Sequence, residues 1–164
     1  MDTTEVLIKI RKIVRSINLE SKKIQKEYGV SIPQILCLNY LNQSENYRAN
    51  QGEIRKFLHL NSSTVSGIIN RLELKGLVAR LPATGDKRTV VISLTTKGDK
   101  LLEKIPSLLH EQLSDKLKKL NSDELKNLEN SLELLVGLLD IEALEASPMI
   151  TIEDHLVDPE LDIE

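Results

Sequence analysis

Aromatic side chains are almost missing from this sequence: Tyr28, Tyr40, Tyr47 and Phe57 are the whole set, and there is no tryptophan. A core built without rings has to be aliphatic, which favours helices meeting through Leu and Ile. So few rings also make a poor cage for a quaternary ammonium ion. Cysteine is scarcer still. A lone Cys37 excludes an internal disulfide and suits a reducing compartment, so a cytoplasmic protein is expected. Because Cys37 lies between Leu36 and Leu38, it reads as a buried thiol rather than an oxidant sensor.

Long apolar runs are absent as well. Val6 to Ile17 is interrupted by Lys9, Arg11, Lys12 and Arg15, which fits neither a signal peptide nor a membrane span of about 20 residues. Catalytic chemistry has no visible carrier. His59, His110 and His155 are far apart, and no cluster shows metal-ligand spacing. Without a nucleophile elbow, phosphate loop or acid–base pair, the sequence implies no enzyme, no catalytic residue, no metal and no cofactor.

Positive charge is missing from one end and concentrated in the middle. Residues 1–47 carry seven Lys/Arg against five Asp/Glu, residues 48–100 carry ten against four, and residues 101–164 carry five against sixteen. The formal net charge of −3 conceals this partition. A basic middle third points to a polyanionic partner. From Asp140 onward there are nine acids and no Lys or Arg, which reads as a solvating acidic tail. Its Ile150, Ile152, Leu156 and Leu161 leave open a second reading, in which the tail docks on its own dimer or its acids compete with DNA for the basic face.

What remains is mostly helical. Thr3 to Tyr28 is an amphipathic helix stopped by Gly29, and Ser31-Ile32-Pro33-Gln34 supplies a capping box for a second helix with Ile35, Leu36, Leu38 and Leu41 inward. Ser44 to Arg48 reads as a loop. Asn50 and Glu53 cap a short helix, Gln51 to Leu58, whose buried side is expected at Ile54, Phe57 and Leu58. After a short gap, Asn61 caps another helix whose Val65, Ile68, Ile69 and Leu72 form an apolar stripe, with Gly76 as its stop. Its opposite side carries Ser62, Ser63, Thr64, Ser66, Asn70 and Arg71. Two helices joined in this way form a helix-turn-helix, whose second helix enters the major groove of DNA.

The period then changes. Val78 to Leu81 and Thr89 to Leu94 are β-branched-rich runs on either side of Pro82-Ala83-Thr84-Gly85-Asp86, a hairpin with Lys87 and Arg88 at its tip. From Thr95 a long Leu-rich helical stretch follows, with Pro106 expected to bend or loosen it, and a last helix starts at Asn121. The Leu stripes and the first helix offer more apolar face than a small domain covers alone, which a homodimer would bury.

The segment NSSTVSGIINRLELKGLVARLPATGDKRTVVISLTTKG resembles the MarR family of bacterial transcription regulators. The likeness rests on the Ser/Thr-Val-Ser helix start, Arg71-Leu72-Glu73, Lys75-Gly76-Leu77-Val78, Asp86-x-Arg88 and Leu94-Thr95-x-x-Gly98, and spans roughly residues 30–140. It implies a mainly α fold, a winged helix-turn-helix with N- and C-terminal dimerisation helices. The corresponding segments are residues 1–30 for N-terminal dimerisation, 31–98 for DNA binding, 99–146 for C-terminal dimerisation and 147–164 for the acidic tail. It also implies a homodimeric repressor, free of the membrane, on a pseudo-palindromic operator in double-stranded DNA. DNA contacts then fall at Ser62, Ser63, Thr64, Ser66, Asn70, Arg71, Lys87 and Arg88, with Arg88 in the minor groove and Asp86 supporting the wing. An effector pocket is expected near Ile17, Lys22, Tyr28, Gln34 and Tyr40. Ile17-x-Leu19-x-Ser21-Lys22 with Gly29-Val30-x-x-Pro33-Gln34 is similar to the branch controlling compatible-solute genes, which implies a zwitterionic osmolyte as the effector. Two other readings stand beside it: a transcriptional activator, and a winged helix that serves as a protein-interaction adaptor.

Overall fold

The computed structural model describes residues 2–82 and 89–151. They fall into two compact units, one taking in the described residues up to Pro106 together with Ile150 and Thr151, the other residues 107–149. The divide lies at Pro106, so the helix after the hairpin belongs with the winged helix and not with the C-terminal helices.

In the first unit, α1 (Thr4–Tyr28) ends on Gly29, whose φ of 69° is a left-handed stop that glycine adopts without steric cost. The capping box then starts α2 (Ile32–Gln43): Ser31 Oγ accepts from the Gln34 backbone N–H at 3.3 Å, and Gln34 Oε1 accepts from the Ser31 N–H at 3.4 Å. This helix is the hub of the unit. Ile32, Ile35, Cys37, Leu38 and Leu41 are buried, because α2 packs against α3 (Gln51–Leu58), α4 (Ser62–Leu74), the sheet and α5 (Thr96–Lys104). Each fully buried Leu or Ile contributes about 1.5–3 kcal/mol of transfer free energy, and the core is aliphatic throughout.

The sheet has three antiparallel strands in the order β1 (Arg48–Asn50), β3 (Val90–Leu94), β2 (Val78–Pro82). The hairpin matches the expected one, whereas β1 corrects the reading of that region as loop through Arg48. It pairs Ala49 with Ile92, both buried. Three residues reading Arg-Ala-Asn carry no alternation, so only the partner strand makes them a strand.

Two further expectations change. Phe57 is 46% exposed. Ile54 and Leu58, four residues apart, fill the inward stripe of α3 and leave Phe57 on its flank, stacked on Tyr40 with ring centroids 4.6 Å apart. The Leu-rich stretch is not one bent helix either. It ends at Lys104, passes through extended backbone at Ile105, and resumes in the second unit as α6 (Leu109–Leu117), followed by α7 (Ser122–Leu138). A proline disfavours helical geometry in the residue before it, so Ile105 leaves the helix instead of bending it.

Candidate nucleic-acid interface

The turn between α3 and α4 begins at His59, held at φ 53°, an unusual left-handed conformation for a non-glycine residue that ends α3 three residues before α4 starts. Asn61 then caps α4, its Oδ1 accepting from the Thr64 N–H at 2.8 Å. Val65, Ile68, Ile69 and Leu72 are fully buried, which fixes the rotation of α4 about its axis. Ser62, Ser63 and Asn70 are consequently exposed, while Thr64, Ser66 and Arg71 are half-buried at the edges of that face.

Several polar side chains hold the face in place. Gln51, in the first turn of α3, donates from Nε2 to Ser66 Oγ at 3.3 Å and to the Ser62 carbonyl at 3.5 Å, so it ties the two helices together. Arg80 on β2 donates to Glu73 Oε2 at 3.2 Å and to Asn70 Oδ1. That strap joins α4 to the wing strand and leaves the Asn70 amide N–H groups as its outward donors. Lys75 gives its ammonium to the Gly29 carbonyl and, at 3.2 Å, to Gln34 Oε1. Arg80 and Lys75, both basic enough to suggest phosphate contacts, are thus engaged within the protein. Gln51 carries no sequence signal for its role, because a polar residue in a first turn reads simply as exposed.

Asp86, Lys87 and Arg88 lie outside the described residues. Pro82 pairs with Val90, so the three belong to the connection between β2 and β3. Two of the candidate effector residues line different clefts. Tyr28 lines a cleft of about 640 Å³ with Lys75 and Lys97, while Tyr40 lines a more polar one of about 770 Å³ with Arg48 and Glu53. Gln34 is buried as a helix cap, Lys22 is exposed and Ile17 is half-buried.

The sequence pattern of the MarR family matches residues 30–90, the segment that carries α2, α3, α4 and the start of β3. An organic hydroperoxide resistance transcriptional regulator of Bacillus subtilis is 30% identical over 125 residues, 76% of this chain and 82% of that protein. The chain belongs to the MarR family. The multiple antibiotic resistance protein MarR of Escherichia coli is 37% identical over 78 residues, 47% of this chain and 54% of that one. Among solved structures, an S. aureus MepR–DNA complex superposes with a TM-score of 0.60 at 25% identity, covering 85% of this chain and 99% of that one. The protein is therefore a MarR-type winged-helix transcription regulator and not an enzyme.

Burial sets the reactivity of the single thiol. Cys37 is wholly inside α2 packing, and desolvation of the thiolate pushes its pKa up to about 12. At neutral pH the thiol is therefore protonated and a poor nucleophile. The folded protein should leave an aromatic disulfide reagent unreacted until denaturant is added, and stoichiometric release of the chromophore under native conditions would contradict this burial.

Proposed function

We propose that this MarR-family regulator is a homodimeric repressor that binds a pseudo-palindromic operator in double-stranded DNA. Each protomer inserts the Ser62–Arg71 face of α4 into the major groove and grips the flanking minor groove with Arg88. The observation that carries this reading is the polar, acid-free outer face of α4 from Ser62 to Arg71, set within a basic segment of ten Lys/Arg against four Asp/Glu. Short hydroxyl and amide side chains let the backbone approach the duplex, and their donors reach phosphates and base edges.

The dimer is supported by apolar side chains exposed on each unit taken separately. Val6, Leu7, Ile13 and Val14 on α1 are exposed, as are Leu125, Leu128 and Leu132 on α7. Such continuous apolar stripes need a partner surface.

An effector would bias this dimer between DNA-competent and incompetent forms. A compatible solute with a quaternary ammonium is disfavoured, since Tyr40 stacks on Phe57 and Tyr28 lines a different cleft. Oxidant sensing is disfavoured too. The B. subtilis relative is named for organic hydroperoxide resistance, but here the sole cysteine is buried and protonated.

Duplex selected from a random pool tests the reading. If the dimer neutralises some six to ten phosphates, affinity should fall roughly 10³–10⁵-fold between 50 and 200 mM salt. A flat salt response, or failure to select any duplex, would remove DNA docking by α4 and favour a protein-interaction role.

A further inference from the structure

The cleft of about 640 Å³ in the first unit opens between the α1–α2 junction, the C-terminal end of α4 and the first turns of α5. Val30, Leu77 and Leu101 supply apolar lining, and Lys97, Lys100 and Lys104 surround it. The lysines are spaced by three and four residues, which puts them on one side of α5. Lys97 donates to the Lys75 carbonyl at 2.7 Å. Among the described residues no carboxylate lies within ion-pair distance of Lys97, Lys100 or Lys104. Like charges at this spacing repel, so the arrangement favours an anionic occupant that also carries apolar side chains.

The chain contains a segment of that chemistry. Residues 152–164, outside the described residues, read Ile-Glu-Asp-His-Leu-Val-Asp-Pro-Glu-Leu-Asp-Ile-Glu: six acids, no Lys or Arg, and Leu or Ile placed among the charges. Ile150 and Thr151, immediately before it, group with the first unit, unlike α6 and α7. Thr151 is half-buried there. Thirteen residues reach up to about 45 Å when extended.

We propose that the acidic C-terminal segment, residues 152–164, docks in this lysine-lined cleft of its own chain. Its carboxylates pair with Lys97, Lys100 and Lys104, and its Leu and Ile side chains cover Val30, Leu77 and Leu101. The docking needs no DNA and stands apart from operator recognition. Its consequence is to bring six negative charges onto the winged helix, which lowers the attraction of that unit for phosphate.

Full-length protein, mixed from unlabelled and heavy-isotope-labelled preparations, is treated with a carbodiimide that joins carboxylates to amines. The expected links run from residues 153–164 to Lys97, Lys100 or Lys104 within one isotopic form. A second readout does not depend on those amines: cleavage of the tail by a glutamyl endopeptidase should be roughly tenfold faster in the triple variant K97E/K100E/K104E, and also faster in K97Q/K100Q/K104Q. Because Lys97 also bonds to the Lys75 carbonyl, the double variant K100E/K104E is measured beside the triple one, and far-UV circular dichroism checks that each variant keeps the helical content of the parent. Links mapping only to other lysines, links only between differently labelled copies, or a cleavage rate unaltered by the substitutions would each overturn the proposal.

Discussion

Gly98→Ala should lower the stability of the protein by about 3 kcal/mol or more, moving the thermal midpoint down by roughly 6–12 °C. A Cβ built at Gly98 falls 2.3 Å from the Leu77 carbonyl oxygen and 2.8 Å from Leu94 Cδ1. The nearest obstacle is backbone, which cannot rotate away. Around it the chain is pinned by hydrogen bonds: Thr95 Oγ1 donates to the Gly76 carbonyl at 2.7 Å and accepts from the Gly98 N–H at 3.1 Å, and the Thr95 N–H donates to the Leu77 carbonyl at 3.2 Å. Relieving the clash means lifting α5 from the α4–β2 junction, so several of these bonds stretch together. Gly67→Ala is the matched control. Its Cβ would make only ordinary contact with the Arg71 side chain at 3.5 Å, and replacing a helix-interior glycine should stabilise by about 0.5–1 kcal/mol. Chemical denaturation monitored by far-UV circular dichroism measures both, and equal midpoints for Gly98→Ala and the parent would show that α5 is not seated on Leu77.

Arg88→Ala should weaken operator binding roughly ten- to a hundredfold while the dimer sediments unchanged. The β2–β3 register runs to the Pro82–Val90 pair, and Arg88 stands two positions before Val90 in the sequence. A guanidinium placed in a narrow minor groove meets concentrated negative potential, and its planar fork is not replaced by an ammonium. Arg88→Lys should therefore recover part of the affinity, and the slope of log affinity against log salt should fall by about one per wing in the alanine variant. Anisotropy titrations on the selected duplex at several salt concentrations measure this. An affinity at physiological salt equal to that of the parent would take the wing out of recognition.

Much of the fold was legible because its signals are local. Asn61, Ser31 and Asn50 announce three helix starts through side chain to backbone bonds that span only three residues. The stripe of Val65, Ile68, Ile69 and Leu72 settles which side of α4 is left for a partner, since a 3.6-residue period places four apolar side chains together whatever surrounds them. Turn residues between two β-branched runs likewise mark a hairpin. Gly98 shows the border of this legibility. Its place in the Leu94-Thr95-x-x-Gly98 motif is visible in the sequence, but the reason for it, a carbonyl from a distant turn, is not.

By itself, then, the sequence determined the order of the helices, the aliphatic core, the helix-turn-helix with its wing and the family. Each depends on periodicity, capping or turn chemistry within a few residues. Tertiary structure alone decided that Arg-Ala-Asn at 48–50 is a strand, that Phe57 stays outside, and that Lys75 and Arg80 brace α4 from within the protein. It also decided that Tyr28 and Tyr40 line separate clefts and that three lysines of α5 gather around an apolar one. These outcomes join residues far apart in the chain: Lys75 bonds to Gly29, 46 positions away, and Tyr28 shares a cleft with Lys104. A strand partner, a carbonyl within reach of an ammonium, or a shared cavity exists only after the chain has closed on itself.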